Sequence, residues 1–261
     1  MLKNISSIFH RNEDNEDGRW MKPLEGFDTY SLDEYSDNRV TVIFCIICVI
    51  VFVLDKLSGG ALTVLGIKDN RAIIEYGQYY RLLSCTLLHL GLVHIISNII
   101  FIKGYGKNCE YLFGHLKLTG VFIMAGLSGS LYSLALSPER SVGASGIAFG
   151  LAGALLSVKY AIPDEMKKIA TKSIFQVVLI NVIVGLITPG IDNAAHIGGF
   201  IGGYFCGLGF GARKEIGRRK TRVFGWLMYI ICCIAPFIIY SRYGYPDLSI
   251  KSIFNLIISW L

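Results

Sequence analysis

The sequence predicts an all-α polytopic membrane protein, and three observations lead there. Hydrophobic side chains make up 53% of the 261 residues and charged ones only 17%. Mean hydropathy is +0.53, whereas a soluble domain of this size carries about a quarter charged residues. The apolar residues also fall in long blocks with the charges confined between them. That pattern excludes a soluble globular enzyme, a disordered chain and a nucleic-acid module. The net charge of +6 does not point to nucleic acid, because the basic residues sit in short loops, where they set topology.

Taken in order, residues 1–38 form a polar, mixed-charge tail with Glu13, Asp14, Glu16 and Asp17 clustered early. It has too few apolar residues for a core and is too polar to serve as a cleavable signal. Apolar runs follow at about Val40–Leu54, Leu87–Ile102, Leu116–Leu136, Ala144–Tyr160, Ile174–Thr188, Ala194–Phe210 and Val223–Tyr240. Several are shorter than the ~20 residues that a full crossing needs, so they are expected to thin the bilayer or to end inside it. The connection 55–86 is unusually long, and loops of that length are usually functional. Ser249–Leu261 would reach only ~20 Å as a helix, and we read it as interfacial.

Lys and Arg distribution gives the orientation. Loops 103–117, 159–172 and 211–222 hold thirteen of them, against five in 55–86, 137–143 and 189–193. The basic set belongs in the cytoplasm, which puts the N-terminus inside and the opposite loops outside. Most of the seven cysteines lie inside apolar runs and behave there as small hydrophobes. Cys45-Ile-Ile-Cys48 is mid-run, so neither a redox nor a zinc role is expected.

Polar groups inside a membrane are costly, which makes each one a functional candidate. His94 and Asn98 are four apart and share one helix face. A bland role, bonding a neighbouring helix, is the alternative at this level. Ser145, in Gly143-Ala144-Ser145-Gly146, falls where a helix begins, near unpaired N–H groups and the positive end of the dipole. A plain Ser/Gly helix start is common, and the motif is not a Gly-x-Ser-x-Gly elbow because Ile147 occupies its last position. Small residues recur every four positions at Gly146 and Gly150, and at Gly199, Gly203, Gly207 and Gly211. Such faces let membrane helices touch backbone to backbone. If these faces meet, Ser145 and His196 come within hydrogen-bond reach, and His196 becomes a candidate general base. Lys159, fourteen positions on, lies ~21 Å away along the same helix and fails as a partner. Asp192, in the turn before His196, suits a helix cap better than a catalytic acid. His89 and His94, ~140° apart on a helix, have no HExxH motif or carboxylate beside them, so no metal is expected.

Three motifs in this order, His89-x4-His94-x3-Asn98, Gly143-Ala144-Ser145-Gly146 and Ala195-His196-Ile197-Gly198-Gly199, resemble the rhomboid family of intramembrane serine proteases. The similarity covers roughly residues 76–211, with Tyr80-Arg81 resembling the family's Trp-Arg pair and Glu110 with Gly114 also fitting. The resemblance implies a Ser145–His196 dyad without an acid, and an oxyanion hole built from His94, Asn98 and the Ser145 N–H. Gly198 would permit close helix approach beside His196. Phe149 replaces a tyrosine that often packs on the base, so packing is expected to survive without the phenol. The implied architecture is a tail at 1–38, a six-helix rhomboid-like core at 39–211, and an appendage at 212–261. That appendage carries a basic loop, a seventh transmembrane helix and a short C-terminal segment.

The expected activity is endopeptidase cleavage of single-span transmembrane proteins near the outer leaflet. No cofactor and no metal are implied. The expected partners are membrane-spanning protein substrates and the lipid bilayer, in a bacterial plasma membrane. Two rival readings stand beside it. A catalytically inert rhomboid-like protein that binds membrane helices would be marked by loss of Ser145 or His196, and both are present. A transporter would show internal repeats and broken helices around a midplane site, and no repeat is evident.

Overall fold

A computed structural model describes residues 38–159, 164–188, 190–212 and 219–243. Most of the polar tail and the whole of Ser249–Leu261 lie outside the described residues. Most of the described residues are helical: α1 Arg39–Leu57, α2 Ala61–Gly66, α3 Asn70–Ile74, α4 Arg81–Ser84, α5 Leu92–Phe113, α6 His115–Leu136, α7 Ser145–Ser157, α8 Asp164–Ile187, α9 Asn193–Phe210 and α10 Arg219–Tyr243. Among the described residues the β structure is one isolated bridge, Lys68 to Ser141.

Among the described residues, three helices are long and apolar enough to cross a bilayer: α1, α6 and the Arg219–Tyr240 part of α10. Arg81–Leu87 with Leu92–Phe113 makes a fourth if the pair, bent by 96°, is one span. The second apolar run therefore differs from its expected outline. Its helix starts at Leu92, after an extended Leu88 and an extended Gly91, and continues past Ile102 into residues expected in a cytoplasmic loop. Glu110 explains that continuation. Buried on the last turns of α5, its carboxylate accepts from Val40 N, Thr41 N and Thr41 Oγ1 at 2.8, 3.0 and 2.6 Å. It thereby satisfies the orphan donors at the start of α1 and lies at the positive end of that helix.

Helix α1 shows how side chains sort. Thr41, Cys45, Cys48, Phe52 and Asp55 are buried along one stripe with spacings of three and four, which is one face of a helix. Ile43, Ile46, Ile50, Val53 and Leu54 stand exposed on the other faces, the composition of a surface facing lipid. The long connection after α1 is not irregular. Asp55 accepts from Thr63 N and Oγ1 at the start of α2, Asp69 caps α3 through Ala72 N, and Arg81 donates to the carbonyls of Val64 and Ile67.

Helix α7 lies at the centre. Eleven of its thirteen residues are buried, and its length of ~20 Å is well short of the ~30 Å hydrocarbon layer. Against it runs α9, at backbone contact. A Cβ on Gly199 would sit 2.0 Å from Gly146 O, one on Gly203 2.0 Å from Gly150 O, and one on Gly153 2.2 Å from Phe200 O. Only glycine permits these approaches. The other side of α9 meets α6, where Ser128 Oγ donates to Gly198 O at 2.7 Å. Gly198 itself packs on Tyr132 of α6, 2.4 Å from a Cβ placed there. Its small size thus serves the α6 contact and not the one with α7.

Candidate active site

The segment between α6 and α7 ends in Gly143, Ala144 and Ser145, and Ser145 is the first residue of α7. Gly143 has φ +128°, a region that favours glycine. A Cβ there would also meet His94 Nε2 at 2.6 Å and Asn98 Nδ2 at 3.9 Å. The half-buried His94 and the buried Asn98 thus both face the backbone just before Ser145. Asn98 Nδ2 donates to His94 O at 2.8 Å, which leaves it a second N–H.

His196 enters from α9. Asp192 caps that helix, with Oδ1 accepting from Ala195 N at 3.0 Å, and its other oxygen accepts from Ser133 Oγ. One turn into the helix, His196 Nε2 stands 2.9 Å from Ser145 Oγ. The two residues are 51 positions apart in sequence and meet because the glycine faces of α7 and α9 bring the helices together. The imidazole is 8% exposed and stacks on Phe149, with ring centroids 4.3 Å apart and planes 10° from parallel. Phe149 in turn stacks on Phe101 at 5.8 Å. These contacts fix the ring plane without a hydroxyl. Nothing among the described residues hydrogen-bonds His196 Nδ1.

His89 has a place that its sequence position did not reveal. It lies before α5, outside any helix, so its angular separation from His94 on a helix does not apply. Its Nε2 faces Ala144 N at 3.4 Å, and its ring meets that of His94 edge-on at 5.1 Å. It therefore supports both the segment leading into Ser145 and the ring of His94. Gly91, which breaks the apolar run, is the sequence signal for this. Among the described residues no three His, Cys, Asp or Glu side chains converge as a metal set, and all seven cysteines are free.

A family model described as the rhomboid domain matches residues 76–213, more than half of the chain. The chain belongs to the rhomboid family. It is 33% identical over 210 residues to rhomboid protease GluP of Bacillus subtilis, a stretch covering 78% of this chain and 40% of that protein. With RHOMBOID-like protein 5 of Arabidopsis thaliana it shares 37% identity over 154 residues, 57% of this chain and 49% of the relative. Inactive rhomboid protein 1 of Danio rerio is 30% identical over 171 residues, 62% and 20% of the two chains. The chain thus spans less than half the length of each of these relatives. As a rhomboid family member with several apolar helices, it is an integral multi-pass membrane protein with an all-α fold. The matched region runs from just before α4 to just after α9 and so contains His89, His94, Asn98, Ser145 and His196.

Proposed function

We propose that this rhomboid is an intramembrane serine endopeptidase that cleaves single-span membrane proteins through Ser145 and His196. The 2.9 Å approach of His196 Nε2 to Ser145 Oγ carries the reading. In it, Ser145 Oγ attacks the scissile carbonyl while His196 Nε2 takes the hydroxyl proton, which requires the tautomer with hydrogen on Nδ1. A tetrahedral oxyanion forms, held by the Ser145 N–H at the helix start and by donors from His94 and Asn98. Each donor aimed at charge that exists only in the transition state is worth ~3–4 kcal/mol. His196 then returns the proton to the leaving amine, and water hydrolyses the acyl-enzyme. The proposed orientation places the N-terminus in the cytoplasm and the dyad toward the outer side, in a bacterial plasma membrane. The tail, six-helix core and seventh-helix appendage remain our division of the chain.

Incubation of the purified protein with a fluorophosphonate probe tests this directly. A stable adduct is expected at Ser145, and its formation should depend on His196. An intact protein that takes no label, or takes it elsewhere, would instead support an inert helix-binding role, which the likeness to a relative named inactive makes the natural alternative.

Asp192 separates a dyad from a triad. Both of its oxygens serve the α9 cap and Ser133, not His196 Nδ1. Asp192→Ala is therefore expected to cost about 1 kcal/mol of stability, as lost caps do, and to leave cleavage within about tenfold of wild type. A loss of ~10⁴, the scale seen when a catalytic acid is replaced, would show that Asp192 acts on the base. Thermal unfolding and initial rates measured on the same preparation decide between them.

A further inference from the structure

Residues 68–70 run from the turn after α2 into the first residue of α3, in the long connection that the sequence marks as functional by its length alone. In the structure they grip the segment that leads from α6 to Ser145. Lys68 and Ser141 exchange both backbone hydrogen bonds, at 3.0 and 3.2 Å. Lys68 Nζ donates to Ser137 O at 3.0 Å and Glu139 O at 2.6 Å. Asn70 Nδ2 donates to Leu134 O at 3.2 Å and Ser137 O at 3.0 Å, satisfying carbonyls that the end of α6 leaves open. Arg140 Nε closes the set on Asp69 Oδ2 at 2.7 Å. Beyond it, Gly143 N donates to Cys85 O at 2.9 Å, and Ser145 follows two residues later.

Lys68 is 0% exposed. A buried ammonium is expensive, and an apolar side chain of similar length would fill the volume without that cost. What the cation supplies is a pair of charge-assisted bonds to two carbonyls of one short segment. Lys68 and Ser145 also line the same small cavity of ≈ 20 Å³.

We propose that Lys68 is a positioning residue for the nucleophile, clamping residues 137–143 so that the Ser145 hydroxyl and N–H keep their aim. This rests on the reading of Ser145 as nucleophile. It carries a pH signature. Burial pulls the ammonium of Lys68 down to about 8, against the opposing pull of Asp192, Cys85, Asp69 and Glu139. Those groups face it from the turn before α9, the turn after α4, its own segment and the clamped segment, and Arg140 adds a cation on the same segment. Below that pH the two side-chain bonds are charge-assisted. Because the clamped lysine holds its proton less firmly than a hydrated one would, raising the pH through about 8 favours the clamped state over a released one.

The test measures kcat and KM of the full chain on a single-span model substrate from about pH 6 to 10, with melting curves alongside. In wild type, kcat is expected to hold or rise as pH passes about 8, because the clamped state binds the Lys68 proton less tightly than a released one. Lys68→Met should lower kcat by roughly 30–100-fold, the scale of a misplaced reacting group, with KM within about twofold. Wild-type kcat in that variant overturns the proposal, and so does a fall of wild-type kcat through pH 8 that the substitution abolishes. Should Lys68→Met fail to fold, Asn70→Ala carries the test. It removes the bonds to Leu134 O and Ser137 O and keeps the lysine, so kcat should drop about tenfold, and an unchanged kcat there is equally fatal. A wild-type protein that neither cleaves nor takes the fluorophosphonate sinks the protease reading, whereas a reactive wild type with indifferent variants sinks only the clasp.

Discussion

Replacing Ser145 with Ala is expected to lower cleavage of a single-span substrate by ~10⁴-fold or more, the scale of losing a catalytic nucleophile or its base. The protein should stay folded, because the change removes one half-buried hydroxyl while the eleven buried residues of α7 keep their contacts. His196→Ala should be equally damaging to turnover, but it also strips the ring from Phe149. His196→Phe is the cleaner companion, since a phenyl ring keeps the stack and lacks the nitrogen that faces Ser145 Oγ. Groups that act as a unit are not additive, so the double variant should be no slower than either single one. Initial rates over a range of substrate concentrations, with melting curves as the control for folding, make the measurement. Cleavage retained by Ser145→Ala or by a folded His196 variant rejects the dyad.

Gly199→Ala is expected to produce the largest loss of stability from a single methyl. The added Cβ would fall 2.0 Å from Gly146 O and 2.7 Å from Gly146 C. Both atoms are backbone, so no side chain can rotate away and the helices themselves must part. Overpacking of this kind costs about 1–3 kcal/mol and occasionally more, and with both obstacles in the main chain we expect the upper end. The effect reaches the site as well. Gly146 follows Ser145, and Gly199 is three residues beyond His196, so parting α7 from α9 lengthens the distance between hydroxyl and imidazole. A folded remnant should therefore lose ~100-fold in kcat, since small displacements of reacting groups cost that much. Gly104→Ala on α5 is the control. A Cβ there meets nothing within 4 Å, and the better helix propensity of alanine should leave stability unchanged or raise it by up to ~1 kcal/mol. Equal melting temperatures for the two variants would mean that α7 and α9 do not depend on this contact.

Much of the site was legible because its signals are local. A serine at a helix start, a carboxylate one turn before a histidine and glycines every fourth residue each have a meaning that needs no neighbour. Asp192 capping α9 through Ala195 N is a case where turn chemistry in sequence corresponds to the bond observed. Less could be read where an apolar run hides a break. Leu87–Ile102 looks continuous in composition, yet Leu88 and Gly91 are extended and the chain bends by 96° there. Glycine alone marks the place, and a single glycine inside an apolar run is ambiguous. Helix α5 also runs on to Phe113 through Lys103, Lys107 and Glu110, because the last of these is bound to a helix 69 residues away.

By itself the sequence determined the all-α membrane class, the order of the apolar segments, the shortness of α7, and which few polar side chains would be costly in lipid. These follow from composition and period, which are properties of the chain taken a few residues at a time. The tertiary structure decided which polar groups meet. It set His196 on Ser145, turned Gly198 toward Tyr132 instead of α7, and buried Lys68 against the segment before Ser145. Each of these depends on where two distant stretches come into contact, and close packing fixes that position only once all the helices are in place.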